Sequence, residues 1–64
     1  MKAITYKQFE NAAAKVLLAR VQINVASVCM ALRVSSVGAV ADQVAALLAK
    51  HLRPHPTVAG CYVP

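Results

Sequence analysis

Apolar residues recur along the first third of the chain at helical rather than alternating spacing. Tyr6, Phe9, Ala13, Val16 and Leu17 return every three or four positions, and Arg20 closes the stripe on its aliphatic stem. Lys7, Asn11 and Lys15 fall four apart on the opposite side, a solvated face or one open to phosphate. Thr5 and Gln8 have the spacing of a capping box, in which hydroxyl and amide side chains satisfy each other's backbone N–H. The pattern predicts a first helix over 6–20.

Val21-Gln22-Ile23 alternates and is partly β-branched, so it predicts a short strand. Asn24 is a good N-cap for a second helix over Val25–Leu32, with Val25, Val28, Cys29 and Leu32 inward and Met30 and Ala31 outward. A turn at Arg33-Val34-Ser35 follows, and Ser35 or Ser36 then caps a third helix of about fifteen residues. Val37, Val40, Ala41, Val44, Leu47, Leu48 and His51 trace its inner stripe. Its outer face is small and smooth: Ser36, Gly38, Ala39, Asp42, Gln43, Ala46, Ala49 and Lys50. Past Leu52, Pro54 and Pro56 forbid helix and cannot donate to a sheet, so this segment is extended or an edge strand. Gly60 turns the chain and Cys61-Tyr62-Val63 returns as the last strand. The expected fold is mainly α with a small β-hairpin: three helices and a small antiparallel sheet in the order α-β-α-α-β-β, forming one domain over residues 1–64.

Two helices joined by so short a connection share one apolar seam and cross steeply, the helix-turn-helix arrangement. The second helix of such a pair is a rod that fits the major groove of DNA. Charge points the same way. Seven Lys and Arg against two Asp and Glu give a net charge of +5, which favours polyanions, nucleic acid first.

Composition narrows the remaining classes. At 59% hydrophobic and 14% charged, the chain is not of disordered composition. With only Tyr6, Phe9 and Tyr62 as aromatics, the core is aliphatic and small, which predicts a homodimer. The longest uncharged run, over 21–32, is too short to span a bilayer. Ala39-Val40-Ala41 resembles a signal-cleavage site but lies too far along the chain, so a cytoplasmic protein with reduced Cys29 and Cys61 is expected. His51, His55 and Cys61 lack paired-ligand spacing, and no carboxylate pair, activated nucleophile or phosphate loop is present. The expectation is no metal, no cofactor and no enzymatic activity.

The segment Val28-Cys29-Met30-Ala31-Leu32-Arg33-Val34-Ser35-Ser36, followed by Val40, Val44 and Leu47, resembles the N-terminal winged helix-turn-helix domains of bacterial SOS-type repressors. The likeness extends over residues 23–63. Cys29 stands where that family usually has alanine, and Arg33 where glycine is common. The resemblance implies that the third helix enters the major groove and that the hairpin over 53–63 is the wing. It makes Ser35, Ser36, Gly38, Ala39, Asp42 and Gln43 groove-facing. Gln43 would read adenine, the serines a phosphate or base, and Ala39 a thymine methyl. That face has no arginine or lysine to read guanine. Affinity would come from Arg33, Lys50, Arg53 and the wing, including His55, against the phosphate backbone.

Two functions fit. One is a small transcription regulator or repressor that occupies an operator on double-stranded DNA as a homodimer. The other is a protein-binding module that uses the smooth Ala/Gly face to dock on another protein, such as a host factor inhibited by a phage or plasmid product.

Overall fold

The computed structural model of the protein describes residues 3–64; Lys2, counted above among the cations, lies outside them. Three helices carry the chain: α1 (Tyr6–Leu18), α2 (Val25–Leu32) and α3 (Ala39–His51). Two short strands follow, β1 (Arg53–Pro54) and β2 (Tyr62–Val63). The layout is mainly α with a small antiparallel hairpin, as the apolar pattern predicts.

The start of α1 follows the expected chemistry. The Gln8 amide donates to Thr5 Oγ1 at 3.1 Å, and the Thr5 amide donates to Gln8 Oε1 at 2.9 Å. Its end comes earlier than predicted. Arg20 adopts a left-handed conformation (φ 59°) and stops the helix at Leu18, so its side chain is exposed rather than closing the inner stripe. The buried line is Phe9, Ala12 and Val16, rotated from the predicted stripe, while Tyr6 and Leu17 stay half exposed at 50% and 47%. Helix α2 packs against α1, and Ala12, with only a methyl group, is buried in the core they share.

Only Ile23 of the expected first strand pairs. Its carbonyl accepts from the Tyr62 amide at 2.8 Å in an isolated antiparallel bridge, while Val21 and Gln22 are exposed. Asn24 caps α2 as expected, and Ser27 makes the cap reciprocal. Ser27 N donates to Asn24 Oδ1 at 2.8 Å and Asn24 N donates to Ser27 Oγ at 3.0 Å. The helix ends in a two-bond C-terminal motif: Val34 N donates to Cys29 O (3.0 Å) and Arg33 N to Met30 O (3.1 Å). That geometry needs a left-handed residue, and here it is Arg33, at φ 60° and ψ 44°.

Helix α3 departs most from expectation. Neither Ser35 nor Ser36 caps it. Gly38 occupies the cap position at φ 93°, with no side-chain bond to the helix, and Ser35 Oγ instead accepts from the Val37 amide at 3.3 Å inside the loop. The connection after α2 therefore runs over residues 33–38, and Val37, predicted inward, is 74% exposed. The physical reason lies at both ends of the loop. The left-handed stop at Arg33 uses the first residues to turn the chain, and Gly38 is the first position free to take a φ unfavourable for side-chain-bearing residues.

In the hairpin, Arg53 pairs with Val63 and Pro54 with Tyr62. Because Tyr62 also meets Ile23, β2 is central, flanked by β1 and the Ile23 bridge. Gly60, at φ 81°, supports the return turn.

One core joins these elements: Phe9, Ala12, Val16, Ile23, Val28, Cys29, Ala41, Val44 and Leu48, with Leu32, Leu47 and Tyr62 packed at its edge. Val28, Cys29, Val44 and Leu48 have no solvent exposure at all. Burial pushes the Cys29 thiol above its ordinary pKa, consistent with a small core residue; Cys61 is likewise buried and unbridged. Among the described residues no helix is long and apolar enough to cross a membrane.

Candidate nucleic-acid interface

Apart from Gln43, the residues assigned to DNA contact fall in two groups, one at each end of α3. The first lies on the loop that leads into it. Arg33, Ser35, Ser36 and Gly38 are all exposed, and Ala39 is the exposed first residue of the helix. The second group follows the helix's last turns: Lys50 on its exposed side, Arg53 exposed in β1, and His55 half-buried just beyond. The 13 residues of α3 between them span about 20 Å. Along the chain, cationic residues thus precede and follow an outer helix face made of Ala39, Asp42, Ala46 and Ala49, all exposed, and in space Arg33 borders α1, lining a groove with Gln8, Asn11 and Lys15.

Gln43 is not on that open face in the way a base reader would be. It is half-buried, and its Oε1 accepts from the Ile4 backbone amide at 2.9 Å, which latches the segment before α1 onto α3. Bidentate reading of adenine uses both the oxygen and the nitrogen of the amide, so the oxygen would first have to leave Ile4. The Ala39–Ala49 face has no other amide, and Asp42 there would oppose phosphate.

His55 is also engaged locally. Its Nδ1 accepts from Thr57 N at 3.1 Å and Val58 N at 3.0 Å, with Thr57 Oγ1 3.3 Å away. Nδ1 therefore acts as the acceptor, the role open to the tautomer protonated at Nε2. The His55 amide donates to Cys61 O at 2.8 Å, which ties the turn to the returning strand. The ring thereby organises the hairpin tip, leaving Nε2 as the nitrogen not engaged by these bonds.

At the last residue of α3, His51 packs on Tyr6, with ring centroids 4.7 Å apart, and Phe9 lies 6.2 Å from the same imidazole. The apolar stripe suggested that His51 faces inward; the ring instead covers the first turn of α1 from outside. Neither this stack nor the Ile4–Gln43 latch has a local sequence signal, because each joins segments about forty residues apart. Among the described residues, no three His, Cys, Asp or Glu gather to hold a metal ion.

Comparisons with known proteins return no match: no family model, no curated protein and no solved structure resembles this chain closely enough to register.

Proposed function

We propose that this chain is a small DNA-binding regulator on the winged helix-turn-helix plan, occupying an operator as a dimer. The observation that carries this is how the sheet closes. Ile23, between α1 and α2, pairs with Tyr62, and Tyr62 pairs with Pro54. This sets the hairpin over 53–63 directly after α3, where a wing would flank a helix lying in the major groove. Exposed Arg33 before α3, and exposed Lys50 and Arg53 at its far end, supply the charge that phosphate contacts need.

The small face of α3 and the engagement of Gln43 make base reading weak, so binding is dominated by the backbone and discriminates modestly among sequences. A protein working on DNA also fits the cytoplasmic location expected from the sequence. The test is anisotropy titration of random duplex DNA at two salt concentrations. Binding at low salt that weakens steeply with salt supports the proposal.

One observation favours a second function, a protein-binding module. Ala39, Ala46 and Ala49 form an exposed surface with little capacity for base reading but enough smoothness for another protein's backbone. Absence of duplex binding at low salt, together with a specific protein pulldown, would select it.

A further inference from the structure

By spacing alone, the side of α1 that carries Asn11 and Lys15 is either solvated or open to phosphate, and the fold places a neighbour against it. Gln8, Asn11 and Lys15 line a groove of about 330 Å³ together with Arg33, which comes from the end of α2. All four side chains are exposed, while Ala12 and Leu32 behind them are buried or half-buried. Positions 8, 11 and 15 return every three or four residues, so they share one face of α1.

The groove is rich in donors. Lys15 and Arg33 bring two cations, and Asn11 and Gln8 bring amides. The Gln8 oxygen already accepts from the Thr5 amide at 2.9 Å, which leaves its Nε2 as the group able to donate outward. Among the described residues no acid lines this groove. Glu10 falls on the other side of α1 at helical spacing, and Asp42 belongs to α3. Arg33 reaches the groove from a left-handed turn in which glycine would sit without strain. Glycine could end α2 equally well, but only a long cationic side chain adds charge here.

We propose that this groove seats a phosphate of the DNA backbone, which makes α1 a contact element in addition to α3 and the hairpin. It rests on the reading of the chain as a DNA-binding protein and extends the interface to Gln8, Asn11 and Lys15. A phosphodiester carries one negative charge on oxygens that accept several hydrogen bonds, and two cations beside two amide donors match that chemistry. Arg33 belongs both to this groove and to the loop leading into α3, so one strand can be held at both places. A protein ligand would gain most from an apolar anchor, and the exposed lining here is polar.

Fluorescence anisotropy of the full chain with random duplex DNA across a salt series tests this. Lys15→Gln should lower the slope of log binding constant against log salt by about 0.9 for each protomer bound. Asn11→Ala should weaken binding severalfold without changing the slope, because a neutral donor releases no counterion. Arg20→Gln removes the same charge outside the groove and should leave the slope unchanged. In a parallel NMR titration, duplex should shift the side-chain amide signals of Gln8 and Asn11, and a poly-glutamate chain of matched charge should not. Equal slope losses in Lys15→Gln and Arg20→Gln would show that net charge, not the groove, is at work, and overturn the proposal. Poly-glutamate shifts as large as those from duplex would overturn it in favour of an acidic protein partner. Wild-type binding that Lys15→Gln leaves untouched defeats only the phosphate seat, whereas a wild type that ignores duplex at low salt defeats the proposed function itself.

Discussion

Replacing Arg33 by glycine should make the protein more stable and a weaker DNA binder at once. Arg33 ends α2 at φ 60° and ψ 44°, and both bonds of the helix stop, Val34 N to Cys29 O and Arg33 N to Met30 O, depend on that left-handed turn. A residue with a Cβ pays roughly 1–2 kcal/mol to sit there, whereas glycine does so freely. Glycine gives back part of the gain, roughly 0.5–1 kcal/mol, through its larger unfolded-state entropy. Loss of a cation at a helix C-terminus removes slightly more. The net expectation is stabilisation by about 0.5 kcal/mol, which for a domain this small raises Tm by about 2–4 °C.

Arg33→Ala separates the two roles, because it removes the charge and keeps the strained backbone. Both variants should lose one phosphate contact per protomer, lowering the slope of log binding constant against log salt by about 0.9 for each protomer bound. Only the glycine variant should gain stability. Arg20→Gly is the control: it relieves the same backbone strain (φ 59°) at a residue not assigned to DNA. It should stabilise without touching the salt slope. Thermal unfolding by circular dichroism and fluorescence anisotropy across a salt series read both quantities. A lower Tm for Arg33→Gly beside a higher one for Arg20→Gly would show that the arginine side chain, not the backbone angle, holds the stop. An unchanged salt slope in both Arg33 variants would remove this residue from the interface.

Leu48→Ala, at a site with no exposure, should cost about 2–5 kcal/mol and unfold much of so small a domain, as urea titration would show; a near-parental midpoint would mean that the core does not centre on Leu48. Asn24→Ala should cost about 1 kcal/mol by breaking the reciprocal cap with Ser27, read in the same titration, and no change would mean the cap contributes nothing net. His55→Ala should speed amide exchange at Thr57 and Val58, whose N–H groups donate to its ring, while leaving exchange in α2 unaltered. Because burial raises the Cys29 pKa, its stabilising contribution is complete below the thiol's unfolded value and is lost as pH rises through the folded one. Stability should therefore fall more steeply in alkali for the wild type than for Cys29→Ala, and parallel pH profiles would refute this.

Local chemistry determined much of the architecture. Thr5 with Gln8, and Asn24 before Val25, place two helix starts within a few residues, since a side chain reaches only the N–H groups of the adjacent turn. Pro54, Pro56 and Gly60 likewise mark an extended segment and its return, because they restrict or free φ regardless of what surrounds them. Periodicity located the three helices and much of the core, including Phe9, Val28 and Val44. What escaped it depended on contacts distant in sequence. Which line of α1 turns inward, Ala12 rather than Leu17, was decided by how α1 packs with α2 and α3 around the shared core. The start of α3 passed from the serines to Gly38 because the left-handed stop at Arg33 used up the early loop. Gln43 belongs by sequence to the outer face of α3, yet the folded chain gives its oxygen to the Ile4 amide, and only the return of residue 4 to residue 43 could decide that.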